Sequence, residues 1–132
     1  MPVDRVTIIN VEAPDSADLN TELQWLGATL GLFGQRDKNS SCFRIFITLI
    51  RAAQHENTLS SDEIAHNCKL SRGTVIHHLN RLRDTGLVHS VEQGYQLRAP
   101  TIAQSIDQLE DELNDMIALM RAVAKDVDKK LS

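Results

Sequence analysis

The sequence predicts a mainly α-helical chain with a small β-hairpin and a long C-terminal helix. Two short helices joined by a tight turn are expected in the middle of the chain, and a turn-type pair flanked by strand-forming residues follows them directly. A seven-residue apolar repeat fills the last third. The length of 132 residues fits one compact domain with an appended element.

The composition is that of a globular protein, with 42% hydrophobic and 24% charged residues. No segment approaches the roughly 18 apolar residues of a membrane helix, and no signal sequence begins the chain. We therefore expect a cytoplasmic protein without membrane contact. Cys42 and Cys68 are the only cysteines, and we expect both to be small buried apolar residues.

Residues 1–15 are predicted to form an extended arm or strand. The segment Val6 to Val11 is rich in β-branched residues and lies between Pro2 and Pro14. We expect it to add a strand to the hairpin or to cross to a second subunit.

A first helix is expected after an N-cap at Asp15 or Ser16, with Gly34 at its end. Its apolar face has spacings of three and four: Leu19, Leu23, Leu26, Leu30 and Phe33. Gly27 and Gly31 lie inside this pattern, and we expect them to allow close packing against another helix.

A second helix, starting at Ser40 or Ser41 and running to about His55, is expected to bury one apolar face. The predicted face consists of Phe43, Phe46, Ile47 and Ile50.

Two capped helices follow. The sequence from Ser60 to Glu63 contains a hydroxyl three residues before a carboxylate, which is the capping-box pattern. After a tight turn at Lys69 to Ser71, a further helix is expected from Arg72 to about Thr85, capped by Ser71. Its buried stripe is Val75, Leu79 and Leu82.

A hairpin is expected directly after these helices. Gly86 ends the preceding helix, and Leu87 to Val91 and Tyr95 to Arg98 are predicted to be strands around Gln93 and Gly94.

The segment from Leu59 to Val88 resembles the winged helix-turn-helix regulators of the MarR and ArsR type. The residues that carry the resemblance are Ser61, Glu63, Ile64, Ala65, Leu70, Ser71, Thr74, Val75, His78, Leu79, Leu82, Gly86, Leu87 and Val88. The resemblance implies a winged helix-turn-helix domain over residues 16–99, with the hairpin as its wing. It also implies a transcriptional regulator that binds double-stranded DNA, with helix 72–85 in the major groove.

Helical geometry divides the residues of helix 72–85 between the core and the duplex. With Val75, Leu79 and Leu82 inward, the outward positions are candidates for contact with base edges: Arg72, Gly73, Ile76, His77 and Asn80. The hydroxyls of Ser71 and Thr74 and the cations of Arg81 and Arg83 are phosphate candidates. The wing tip is predicted to contain Gln93, Gly94 and Tyr95, with Arg98 nearby.

The charge distribution favours this assignment although the net charge is −4. Residues 69–98 are locally basic, whereas the acidic residues concentrate towards the two ends of the chain. The local field, more than the net charge, decides whether phosphates are attracted.

Residues 100–132 are predicted to form a C-terminal coiled-coil helix that makes the chain a homodimer. The repeat alternates steps of three and four residues through Ile106, Leu109, Leu113, Met116, Met120, Val123 and Val127. A narrow apolar seam with charged flanks requires a partner helix, in parallel or antiparallel orientation.

The sequence gives little support for other functions. Adjacent His77 and His78 cannot share a metal on a regular helix, and His66 and Cys68 project in different directions, so we predict no metal site and no cofactor. No small-molecule effector is identifiable. No catalytic motif is present, which argues against an enzyme. The alternative function is a winged-helix scaffold that binds another protein, suggested by an apolar Ile76 on the outward face.

Overall fold

The computed structural model describes residues 5–33 and 40–132. Along these residues lie five helices, α1 (Leu19–Thr29), α2 (Ser41–Gln54), α3 (Ser61–Cys68), α4 (Arg72–Asp84) and α5 (Ile102–Leu131). Two strands, β1 (Val88–Val91) and β2 (Gly94–Leu97), form an antiparallel sheet. This order confirms the predicted fold class, a mainly α-helical winged helix-turn-helix with a long C-terminal helix. No described helix has the length and apolar character needed to cross a membrane.

Helix α2 is the central element of the core and packs against α1, α3, α4 and β2. Its fully buried apolar face is formed by Cys42, Ile45, Phe46 and Leu49, with Ala53 one turn further on. Of the predicted face, Phe46 is confirmed as buried, whereas Phe43, Ile47 and Ile50 are only half-buried, so the predicted stripe was displaced from the buried one. Two overlapping stripes exist in this apolar helix, and packing against the neighbouring helices selects the one that contains Ile45 and Leu49.

Helix α1 ends earlier than the sequence predicted. Leu30 is its C-cap, and Gly31 adopts the left-handed conformation with φ 72°, which reverses the chain. The reversal places Leu32 in the core and lays the ring of Phe33 over Gly27, at the place where a β-carbon would lie. The close packing at Gly27 is therefore with a side chain beyond the same helix. The predicted terminator, Gly34, lies outside the described residues.

The N-terminal segment of residues 5–12, which we call the arm, runs along α1 and forms no strand. The backbone N–H of Ile9 donates to the Thr29 carbonyl at 2.8 Å, and the Trp25 indole N–H donates to the Glu12 carbonyl at 2.8 Å. The expected pairing with the hairpin is wrong for these residues, because the arm's polar contacts go to α1.

Helices α3 and α4 form the helix-turn-helix. Ser60 and Glu63 form the predicted capping box at the start of α3. Lys69 ends α3 in the left-handed conformation with φ 55°, and Ser71 caps α4 by accepting from the Thr74 N–H at 3.2 Å. The inner stripe of α4 is confirmed, since Val75, Leu79 and Leu82 are each fully buried.

The hairpin, which we call the wing, is anchored on both strands. Val88 pairs with Leu97 and Val91 pairs with Gly94, so the two-residue turn is Glu92 and Gln93. Behind β2, Leu59 and Tyr95 exchange backbone hydrogen bonds of 3.1 and 2.7 Å. The wing is thereby attached to the segment that precedes α3.

Helix α5 has two different halves. Its N-cap is Thr101, and the first turns bury Ser105 and Leu109 against the domain. From residue 114 to the end of the chain every residue is exposed. At 1.5 Å per residue, residues 114–131 extend about 27 Å along the helix axis.

Candidate nucleic-acid interface

The outward face of α4 is polar and open. Gly73, His77 and Asn80 lie opposite the buried stripe, and all three are exposed. A β-carbon added at Gly73 would meet no atom within 4 Å. We call these three residues the recognition face, because the backbone and two side chains with hydrogen-bonding groups are accessible there together.

The start of α4 is suited to an anion. No acidic residue lies in its first turn. Ser71 Oγ donates to Thr74 Oγ1 at 2.8 Å while it accepts from the Thr74 amide. Among the described residues, the amides of Arg72 and Gly73 have no acceptor, so they point outward at the positive end of the helix dipole.

Two cations border this helix start. Arg72 forms a long ion pair of 3.5 Å with Asp62, and both side chains are more than 70% exposed. Such an exposed pair contributes little and leaves the guanidinium available to another partner. Lys69 lies in the turn before Ser71 and is exposed. Lys69 was not among the residues predicted for the site, although its position in the turn before Ser71 was a signal that could have identified it.

Arg81 and Arg83 lie on opposite flanks of α4 and have different surroundings. Arg81 is half-buried, and its guanidinium donates to the Gly31 carbonyl at 3.1 Å. That bond ties α4 to the turn after α1 and draws Arg81 towards the arm. Arg83 is exposed and forms no ion pair within residues 5–33 and 40–132.

Ile76 does not stand free on the outward face. It is half-buried and packs against the core cluster that contains Val75 and Leu79. The predicted exposed apolar residue is therefore a partial contribution to the core.

The wing tip differs from the prediction. Glu92 and Gln93 form the exposed turn, whereas Gly94 and Tyr95 belong to β2. A β-carbon at Gly94 would collide with the Leu59 backbone, and its φ of 150° further disfavours any other residue. Tyr95 is half-buried against the core. Only Gln93 of the predicted tip residues occupies the tip.

Arg98 lies at the root of the wing and faces α5. Its guanidinium donates to both carboxylate oxygens of Glu112, at 2.6 and 3.1 Å, and its Nε donates to Gln108 at 2.8 Å. The Arg98 side chain is only 10% exposed. The sequence placed it near the wing tip; the structure uses it to join the wing to α5.

The surroundings of His89, in strand β1 of the wing, change the pKa of its imidazole. Burial, and to a smaller degree the positive charge of Arg98, lowers the pKa of the His89 imidazole from its ordinary value of 6.5. The uncharged ring lies 3.1 Å from the side-chain amide of Gln96 across the sheet. In the hairpin from 88 to 97, Glu92 is therefore the one formal charge at neutral pH.

The histidines and cysteines do not assemble into a metal site. In the described part of the chain, no group of three or more His, Cys, Asp or Glu side chains is placed to hold an ion. Cys42 and Cys68 form no disulfide and are buried, and the burial was predicted.

A helix, a tight turn, a second helix with an open polar face and a two-stranded wing define the winged helix-turn-helix, a fold found in many DNA-binding transcription regulators. Residues 54–90 match the family model described as bacterial regulatory protein, arsR family. The match runs from the end of α2 into β1 and covers a little over a quarter of the chain. It supports the ArsR part of the predicted resemblance, and the MarR part stays a prediction. No significant match was found among curated proteins or among solved structures.

Proposed function

We propose that this protein binds double-stranded DNA in a sequence-specific manner and regulates transcription as a homodimer. The observation that carries the proposal is the recognition face of α4. It is the outward side of a helix whose inner side is completely buried, so the helix can enter the major groove without loss of core contacts.

Base-edge contacts are assigned to His77 and Asn80, with Gly73 allowing close approach. Asn presents an amide that can bond adenine in bidentate fashion, and an exposed imidazole can donate or accept. Arg72, at the helix start, reaches either a guanine edge or a phosphate once it leaves Asp62.

Phosphate contacts are assigned to the start and the flank of the same helix. The outward amides of Arg72 and Gly73, the capping hydroxyls of Ser71 and Thr74, and the cation of Lys69 face one end. Arg83 supplies a free cation on the flank. Gln93 is the wing residue that we expect nearest to the backbone or the minor groove. Arg81 and Arg98 are omitted from this set, because each is engaged within the protomer.

The alternative function, a winged-helix scaffold that binds another protein, no longer has the observation that suggested it. It rested on an exposed Ile76, and that side chain is half-buried against the core.

The dimer is assigned to α5, whose exposed half carries the predicted apolar seam. Met116, Met120, Val123 and Val127 are each between 45% and 62% exposed, which is unfavourable for an isolated helix in water. Leu109, also in the predicted seam, is already covered by its own domain, and Ile106 and Leu113 lie at the border. Two copies would present two α4 helices to half-sites about 34 Å apart, one turn of DNA.

The test is titration of a labelled random duplex at two or more salt concentrations. DNA binding predicts affinity that falls steeply with salt, and Arg72→Gln and Arg83→Gln should each reduce the log–log salt slope by about 1 if each loses one phosphate contact. Lys125→Gln, on α5, is the matched control and should leave the slope unchanged. Absence of binding at low salt would refute the proposal. Operator selection with Asn80→Ala and His77→Ala then tests base recognition, since a good bidentate contact is worth about 1–3 kcal/mol.

A further inference from the structure

A small pocket lies where the arm, the turn after α1 and the last turn of α4 meet. Its volume is about 140 Å³. Arg5 of the arm and Arg81 of α4 both line it, and we therefore call it the arginine pocket. The lining also includes Thr7, Gly31, Asp84 and Thr85. Two cations from distant parts of the chain thus border one concave surface.

The turn at Gly31 brings the two arginines together. Its carbonyl accepts from the Arg81 guanidinium at 3.1 Å. On the other side of the turn, a β-carbon at Gly31 would lie 3.3 Å from Cγ2 of Thr7. The arm is also hydrogen-bonded close by, since the Ile9 N–H donates to the Thr29 carbonyl at 2.8 Å. The segment that carries Arg5 is therefore held on the same turn that holds Arg81.

Both guanidinium groups are available to an anion. In the part of the chain that the structure describes, neither Arg5 nor Arg81 forms an ion pair. Arg81 is half-buried and donates to a neutral carbonyl, although a guanidinium carries five N–H donors. A cation partly removed from water without a counter-ion is unfavourable, and a bound anion offsets that cost. The planar donor pairs of arginine match the oxygens of phosphate and carboxylate groups.

Size and charge define the class of ligand. Pockets for drug-sized molecules measure about 300–1,000 Å³, so a pocket of about 140 Å³ suits a small ion or a single ionised group. The lining has two positive charges, Arg5 and Arg81, against the one carboxylate of Asp84, and the resulting net charge of +1 favours an anion. Asp84 and the negative end of the α4 dipole act against the anion, so we expect binding in the millimolar range.

We propose that the arginine pocket binds a small oxyanion, inorganic phosphate or a phosphate group of similar size, between Arg5 and Arg81. The bound ion joins the arm to the helix that carries the recognition face. Because it cancels positive charge beside α4, it lowers the affinity of the protein for duplex DNA. This last step rests on the proposed function, whereas binding of the ion does not.

Titration of the full chain with inorganic phosphate tests the site without DNA. The ionic strength is held constant with chloride, so that general screening does not change during the titration. The backbone amide NMR signals of Thr7, Gly31 and Thr85 should move together and saturate, because these residues line the pocket from its three sides. A parallel titration with acetate, a planar carboxylate of single charge, should give weaker binding.

Charge-changing variants identify the groups that hold the ion. Arg5 is exposed, so Arg5→Gln leaves the core intact and should weaken phosphate binding roughly tenfold, since a charge-assisted contact is lost. Arg81→Lys, which keeps the charge but not the planar donors, should also weaken it. Asp84→Asn should strengthen it, because a repulsion is removed. Arg51→Gln, at an exposed position of α2, is the matched control and should leave phosphate binding unchanged.

The outcomes separate the anion site from the proposed function. Absence of a saturable shift at the three amides, or equal phosphate affinity of the wild type and Arg5→Gln, would overturn the site. Tighter binding of acetate than of phosphate would overturn the assignment to phosphate. Equal duplex affinity in phosphate and in chloride at the same ionic strength would overturn the effect on DNA and leave the anion site standing. Failure to bind DNA at low salt would overturn the proposed function and leave the result of the phosphate titration unaffected.

Discussion

At the scale of single residues, the candidate interface depends on which polar groups already have partners. Arg81 and Arg98 have the residue type expected of phosphate contacts, but each donates to an acceptor within the protomer. Arg72, Arg83 and Lys69 remain accessible. Residue type alone therefore overstates the number of cations that are available for the proposed DNA contacts.

Gly73→Ala separates DNA contact from fold stability. Open space surrounds the added methyl group, and alanine favours a helix over glycine by up to about 1 kcal/mol. We expect the free energy of unfolding in urea to be unchanged or higher and the affinity for the selected operator to fall. Equal affinity for wild type and variant would show that DNA does not approach the backbone at this position.

Glu92→Lys tests whether the wing approaches the phosphates. Glu92 lies at the exposed turn and is the one formal charge in the hairpin at neutral pH. Reversal of this charge should raise duplex affinity and steepen its salt dependence, because a repulsion becomes an attraction. Glu92→Gln should give about half of the effect in log affinity. If neither substitution alters the salt slope, the wing tip lies away from the backbone.

At the scale of secondary-structure elements, local signals in the sequence predicted the helix-turn-helix well. The Ser60–Glu63 capping box, the Ser71 cap and the stripe of Val75, Leu79 and Leu82 were correct because each depends on residues within one or two turns. The early end of α1 was not predictable in this way. It depends on a left-handed Gly31 that lets Leu32 reach a core built from distant elements.

The contact between the wing and α5 contributes to the free energy of unfolding, and mutation can measure that contribution. The Arg98 to Glu112 pair is bidentate and mostly buried, so Arg98→Met and Glu112→Met should each lower the free energy of unfolding by about 2 kcal/mol. The double variant should lose less than the sum, because no unpaired charge is left behind. Additive losses in a urea double-mutant cycle would mean that the pair contributes no coupling.

The wing also predicts a dependence of stability on pH. The pKa of His89 is lower in the folded protein than its ordinary 6.5, because burial disfavours the charged ring. The contribution of the uncharged His89 ring to the free energy of unfolding is therefore fully present above pH 6.5 and is lost as the pH falls through the lowered pKa. Urea midpoints measured at pH 7.5 and in steps below pH 6.5 report this loss of stability. In His89→Gln, the part of the loss that comes from the imidazole should disappear.

A second loss of folding stability is expected at still lower pH, where the N-cap of α1 becomes protonated. Hydrogen bonds from Thr21 and Ser16 lower the pKa of Asp18, the N-cap of α1, to about 2. Its contribution is present above the ordinary value of 3.8 and disappears as the pH falls towards 2. Asp18→Asn, which retains a capping group, should flatten this acidic part and leave the His89 part in place.

At the scale of the whole molecule, the sequence predicted the architecture better than the long-range contacts. The order of five helices and a wing followed from periodicity, caps and turn residues. The hydrogen bonds that place the arm, Arg81 and Arg98 join positions between 13 and 50 residues apart. Arginine side chains are long and flexible and can reach several acceptors of similar energy, so the local sequence pattern does not predict which acceptor Arg81 or Arg98 binds.

The proposed dimer predicts a strict dependence on half-site spacing. Once an operator is selected, insertion of about 5 base pairs between its half-sites turns one of them to the opposite side of the duplex. Affinity should then fall to that of a single half-site. A control insertion of equal length outside the operator should have no effect. Unchanged affinity after the central insertion would indicate that each domain binds alone.

The contact between Arg98 and Glu112 has a consequence for the geometry of the proposed dimer on DNA. The Arg98–Glu112 pair joins helix α5 to the winged helix-turn-helix domain, and every residue of the helix beyond residue 113 is exposed. In a two-fold pair, the direction in which α5 leaves each domain fixes the separation of the two α4 helices. In the proposed dimer, a small rotation at the Arg98–Glu112 contact would be magnified along the helix, so this pair of side chains would set the distance between the two α4 helices on the duplex.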